Sequence, residues 1–193
     1  MKNIRKKEKV QNDKKSSIKL KRFIAALVDW YLASVIAGIP VLLIYSIESG
    51  EANIAKSLSY MSLKWGIISG LLAVLLGIAY YVLIPIYWRN GQTLGKSLVG
   101  IKVANIDGTD VNIRSLCSRE ILGAIIIEGG IICSSEYIRQ MLALLSNISV
   151  YSVLSLIATI VTGVSIVLLF RSKDNRMIHD YIASTKVIEL SKA

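Results

Sequence analysis

Long apolar runs alternate with short basic stretches along this chain. Phe23–Tyr45 is apolar except for Asp29 and a few hydroxyls. Trp65–Trp88 is uncharged and closes on Tyr80, Tyr81, Tyr87 and Trp88, and Ile148–Phe170 is uncharged up to Arg171. Each run exceeds the ~20 residues a helix needs to cross a ~30 Å hydrocarbon core, and terminal aromatics suit a membrane interface. A further run, Leu116–Cys133, is interrupted by Arg119, Glu120, Glu128 and the pair Gly129-Gly130. The pattern predicts an all-α membrane protein, a four-transmembrane-helix bundle with spans at about 23–45, 65–88, 116–133 and 148–170.

Between the second and third runs the period changes. Asn90-Gly91 marks a turn, Gln92–Leu98 is short and amphipathic, and Val99–Ile106 alternates like a strand before Asp107-Gly108. Ser184–Leu190 is the other strand-like piece. Two lone strands need each other's hydrogen bonds. Val99–Asn105 and Ala183–Ile188 are therefore expected to pair, antiparallel, as a short two-stranded cytoplasmic β cap.

Composition supports the membrane reading: 193 residues, 53% hydrophobic and a mean hydropathy of +0.55 leave room for one membrane domain, residues 19–193, and little else. The net charge of +10 is concentrated, with ten Lys/Arg in the first 22 residues against Glu8 and Asp13. Residues 1–18 read as a disordered basic tail attracted to anionic lipid headgroups, not as a nucleic-acid arm, because the tail abuts a span. The first apolar stretch is too long for a signal peptide and reads as an uncleaved span. Basic residues then alternate: Lys56 and Lys64 in the first loop, Arg89, Lys96, Lys102 and Arg114 in the second, Arg139 in the third, and Arg171, Lys173, Arg176, Lys186 and Lys192 after the fourth run. Four crossings with both termini on the cytoplasmic side of the cell membrane satisfy this bias.

Asp29 is the costly residue, since a charged carboxylate at mid-membrane opposes insertion by roughly 2.5–3.5 kcal/mol. Arg22 lies two helical turns earlier on nearly the same face, so Arg22, the segment Arg176–Asp180, and Tyr or Ser hydroxyls are candidate partners. Asp29 and Glu128 each have two readings: a proton- or cation-carrying site, or a structural lock. Gly129-Gly130 beside Glu128 either breaks a helix that lines an ion path or marks a shallow, partly re-entrant segment. Gly91–Ser97 is not a phosphate loop, because position 90 is Asn. It reads as an interfacial turn with Lys96 reaching to lipid phosphates. His179-Asp180 has no nucleophile beside it and reads as a tie between the C-terminal segment and the bundle. Cys117 and Cys133 lack metal-ligand spacing, so no metal and no cofactor are expected. Gly66, Gly70, Ala73 and Gly77 form a small-residue run that packs the second span against the first or, in a homo-oligomer, against another subunit.

Arg22–Asp29, Asn90–Val103, Asp107-Gly108, Arg114, Arg119-Glu120 and Asp174–Val187, in this order, resemble the RDD domain membrane proteins, a family of small bacterial integral membrane proteins named for one arginine and two aspartates. The resemblance covers nearly all of the chain after the basic tail. It implies that Arg22 is the arginine, Asp29 the first aspartate, and Asp180 or Asp174 the second. It also implies motif roles for Gln92, Gly95, Lys96, Arg119, Arg176 and His179. Where that family often has Ala-Gly before the final threonine, this chain has Ala183-Ser184, which relaxes the backbone requirement at that turn. Transport, including cation/proton exchange, has been proposed for the family. Two functions remain open: a small transporter or ion- or proton-coupled carrier, with Arg22, Asp29 and Glu128 as the intramembrane polar site, or a non-catalytic partner that regulates or protects against another membrane protein. No catalytic residue is assigned, and an enzyme is not expected.

Overall fold

The computed structural model describes residues 2–51, 57–88, 90–146 and 148–190, with side chains from residue 17 onward except those of 148 and 149. Lys56, Arg89 and Lys192, three of the charges used to orient the chain, lie outside the described residues. Helix α1, Lys2–Ser49, is continuous over 48 residues, roughly 70 Å at 1.5 Å per residue. Only Ser17–Ser49 is apolar enough to cross a membrane. The backbone of the basic segment, expected as a disordered tail over 1–18, is drawn as the first part of this helix. Lys, Glu and Gln are good helix formers, and the adjoining span supplies the nucleus that an isolated basic peptide lacks. The inner stripe of α1 repeats every four residues: Ala25, Asp29, Ala33, Ala37 and Val41 are buried. Phe23, Leu27, Tyr31 and Val35 are exposed on its outer faces. Small inner residues admit close neighbours, while bulky apolar ones remain for lipid.

The second span is one apolar helix, Leu63–Tyr87, made of α2 (Leu63–Ile78), a π turn (Ala79–Leu83) and α3 (Ile84–Tyr87). The wider π turn lets two consecutive residues face inward: Tyr80 and Tyr81 are both buried, ring edge to ring face with centroids 5.1 Å apart. The small-residue run does pack within the chain, but against the third segment. A Cβ on Gly66 would lie 2.9 Å from Leu144 and one on Gly70 2.8 Å from Met141.

The third segment departs most from expectation. Helix α5, Ile113–Cys117, continues as an 11-residue π-helix, Ser118–Glu128. The chain breaks at Gly129, in the left-handed region at φ 61, and at Gly130. Helix α6, Cys133–Leu145, then resumes at a bend of 51°. The span expected at 116–133 is thus a bent helix pair over 113–128 and 133–145. Its contacts run in order along α7, Ile148–Arg171: Glu128 to Ser165, Gly130 to Thr162, and Glu136 to Tyr151. Among the described residues three helices are long and apolar enough to cross a membrane, or four when the bent pair is one span. The break is repaired by side chains, as low-dielectric surroundings require. Thr162 Oγ1 donates to the Glu128 carbonyl and accepts from Gly130 N–H, both at 3.0 Å, and Arg139 donates to the Gly129 carbonyl at 2.7 Å.

The cap holds α4 (Leu94–Leu98), β1 (Ile101–Asn105), α8 (Ile178–Ile182) and β2 (Thr185–Glu189). The strands pair antiparallel, as expected, with Val103 opposite Val187. Ile101 and Val187 rest on Ala25 of α1, which fixes the sheet directly over the polar part of the first span. The Ala183-Ser184 turn keeps a demanding backbone: Ser184 has φ 52, so its substitution for glycine does not relax the left-handed requirement, and Ser bears that cost.

Candidate functional site

The carboxylates and cations singled out in the sequence meet between the spans and the cap, but not in the expected pairs. Arg22 does not reach Asp29. Seven residues separate them, about 10 Å along the helix axis, and both find nearer partners. Asp29 Oδ1 accepts from Tyr80 Oη at 2.6 Å and from Gly95 N–H at 2.8 Å, and Oδ2 accepts from Thr93 Oγ1 at 2.5 Å. The carboxylate thereby clamps the start of α4 onto α1 and the π turn of the second span.

Lys96 is the second correction. Instead of reaching outward to lipid it turns inward, its Nζ 3.9 Å from Asp29 Oδ2 and 3.3 Å from Thr93 Oγ1. Burial pushes its ammonium below the ordinary lysine range, although Asp29 and Glu120 pull the other way. Gly95 is required by proximity, since a Cβ there would lie 2.5 Å from the Ala25 carbonyl and 2.8 Å from the Asp29 carboxyl carbon. Gly95→Ala is expected to push α4 off α1 and destabilise the protein by about 1–3 kcal/mol, read as a lower melting temperature in detergent. An unchanged melt would refute the close packing. Gln92 donates to the Ile101 carbonyl at 2.8 Å and holds the turn to β1.

Asp180 is the centre of the second cluster. It is fully buried, and its carboxylate receives Arg22 Nη2 at 2.8 Å, Arg119 Nη1, and the Met177 N–H at 2.8 Å. Despite burial, Arg119 and Arg22 hold its carboxyl far below the usual aspartate range. Arg22 also donates to the Asn175 carbonyl at 2.7 Å. Arg119 extends the cluster, with Nε to Glu120 at 2.9 Å, Nη1 to Thr185 Oγ1 at 3.1 Å and Nη2 beside His179 Nε2 at 2.9 Å. The other imidazole nitrogen, Nδ1, lies 2.9 Å from Glu128 Oε1, which also accepts from Ser165 Oγ at 2.7 Å and from His179 N–H at 2.8 Å. Arg176 lies at the rim, bonded to the Thr185 and Asp180 carbonyls and stacked on Tyr181. Asp174 is exposed.

The π-helix is what assembles this cluster. Arg119 and Glu128 are nine residues apart, about two and a half α-helical turns, and would face opposite sides of an α-helix. The wider i→i+5 winding brings both inward, where Gly123 lets α8 approach so closely that a Cβ would lie 2.6 Å from that of His179. Among the described residues Asp29 and Glu128 share no bonding partner. An open cleft of about 320 Å³ lined by Ser57, Ser59, Glu136, Gln140 and Tyr151 contains neither.

The model of the family described as "RDD family" matches residues 19–184. The chain belongs to the RDD family. "Uncharacterized protein YckC" of Bacillus subtilis (strain 168) is 30% identical over 167 residues, which cover 86% of this chain and 80% of that protein. No solved structure matches the chain. Within the RDD match, Arg22 and Asp180 form an ion pair and Asp29 stands apart, so the arginine partners the C-terminal aspartate. Asp180, not the exposed Asp174, lies in the buried cluster. Sequence reading allowed a hydroxyl partner for Asp29 without naming Tyr80 or Thr93, and it missed Ser165 and Thr162 as members of the site. The last two were visible as hydroxyls within an otherwise apolar span.

Proposed function

We propose that this RDD protein is a small proton-coupled carrier of the cell membrane, with both termini and the β cap on the cytoplasmic side, and that the Glu128–His179 pair binds the coupling proton. The observation that carries this reading is the 2.9 Å contact between Glu128 and His179 beside a broken membrane helix, the kind of discontinuity that transporters use to place ion-binding groups. The imidazole of His179 bridges two elements of the cluster, with Nδ1 2.9 Å from Glu128 Oε1 and Nε2 2.9 Å from Arg119 Nη2. Asp29 has the structural role, because Tyr80, Thr93 and Gly95 already occupy its oxygens.

Proteoliposomes carrying a trapped pH indicator test the reading. An imposed sodium or potassium gradient is expected to drive proton movement by the parent protein. Glu128→Gln is expected to reduce that movement more than tenfold while the protein still elutes as a folded, monodisperse species. Parent liposomes no faster than empty ones would remove the carrier reading and leave the alternative, a non-catalytic partner of another membrane protein.

A further inference from the structure

The cap-side ends of α1 and α7 meet in a way that the polar cluster does not use. Lys19 Nζ donates to the Phe170 carbonyl at 3.3 Å and sits 5.1 Å from the centre of the Phe170 ring. It therefore lies at the seam between the two helices, where the apolar part of α7 ends at Arg171. Arg171 ends α7 and Lys173 lies in the turn that leaves it, both exposed and without an acidic partner among the described residues. Arg22, by contrast, is consumed by Asp180 and Lys21 by Glu189. Below Lys19, Arg171 and Lys173 both helices present bulky apolar side chains: Leu20, Phe23 and Leu27 on α1, and Val164, Val167 and Phe170 on α7, each more than half exposed. A cationic rim directly above a two-helix apolar surface matches one ligand in both halves, an anionic phospholipid, with the phosphate on the cations and the acyl chains along the helices.

We infer that Lys19, Arg171 and Lys173 form a bound-lipid site for an anionic phospholipid at the α1/α7 seam, separate from the attraction of the basic tail. Each cation near a membrane surface contributes about a fivefold gain in association with anionic lipid, so the three together favour phosphatidylglycerol over phosphatidylcholine by roughly a hundredfold.

The full chain in mixed micelles, titrated with phosphatidylglycerol or phosphatidylcholine, gives the test through retained lipid in native mass spectrometry and through the melting temperature. Phosphatidylglycerol is expected to be retained and to raise the melting temperature, and phosphatidylcholine is not. In Lys19→Gln/Arg171→Gln/Lys173→Gln the preference is expected to vanish, whereas Lys6→Gln/Lys7→Gln/Lys9→Gln in the tail keeps it. A preference that survives the first variant, or is lost only in the second, overturns the site. Equal stabilisation by inorganic phosphate would make it a free-anion site and also overturns it. Should the triple variant fold poorly, the exposed Lys173→Gln alone, with an expected drop of roughly fivefold, decides in its place: no drop overturns the site.

Discussion

Asp180→Asn is expected to be among the most damaging single substitutions in this protein, with a loss of about 3–5 kcal/mol, the usual effect of removing one partner from a buried ion pair. Two guanidinium groups, Arg22 and Arg119, converge on this carboxylate from α1 and from the π-helix, while its own backbone belongs to α8. The amide would turn a donor toward one of them and leave a buried positive charge uncompensated. The measurement is a thermal melt in detergent with cap accessibility followed by proteolysis near Ser184. Arg22→Met combined with Asp180→Asn should recover part of the loss, because Arg119 keeps Glu120 and the orphaned cation is gone. The energy of that double-mutant cycle isolates the pair. Acid gives an independent check with a definite sign. The folded carboxyl is depressed, so its stabilisation is complete above the ordinary aspartate value of ~3.9 and drains as pH falls below it. An acid-labile component between about pH 4 and pH 2 that Asp180→Asn lacks is expected. A melt of Asp180→Asn that equals the parent at neutral pH would remove Asp180 as the keystone of the cap.

The legible part of this architecture is the part governed by simple periods. Apolar runs of span length located α1, Leu63–Tyr87 and α7, and a two-residue alternation located both strands and implied their pairing. The buried chemistry was legible as residue types but not as pairs. Arg22 and Asp29 share a face of one helix, and that proximity on a helical wheel invited a bond that the axial rise forbids. The Glu128 side chain could not be placed on the Arg119 face by any α-helical period, because both reach His179 only through 11 residues of π-helix. Lys96 looked like a membrane-surface lysine because a short amphipathic helix next to a span usually directs lysine outward. Here Asp29 and Thr93 lie on the inner side and turn it in. For Arg22, Asp29 and Lys96 a local rule was overridden by a partner more than 50 residues away in the chain, and a single sequence carries no record of such partners.

Asp29 is the remaining test of how this polar core divides its labour. Asp29→Asn retains one carbonyl oxygen for Tyr80 Oη and the Gly95 N–H but sets an amide N–H₂ against the Thr93 hydroxyl and the Lys96 ammonium. Donor then faces donor, and the buried lysine loses its nearest counter-charge. A loss of about 3 kcal/mol is expected, from hydrogen bonds to a charged acceptor worth ~1.5–3 kcal/mol each. Asp29→Ala should be worse, because three donors lose their acceptor together. Lys96→Met alone should be mild, since it deletes a buried cation that burial already disfavours. Asp29→Asn with Lys96→Met should therefore melt closer to the parent than Asp29→Asn does. The functional consequence separates the two carboxylates. If Asp29 is a lock and Glu128 the proton carrier, folded Asp29→Asn/Lys96→Met protein keeps proton movement within about threefold of the parent in the same liposome assay that Glu128→Gln fails, because the remote clamp adds binding geometry but no transferable proton. Proton movement lost in the rescued, stably folded double variant would place the coupling site at Asp29 and reverse the assignment.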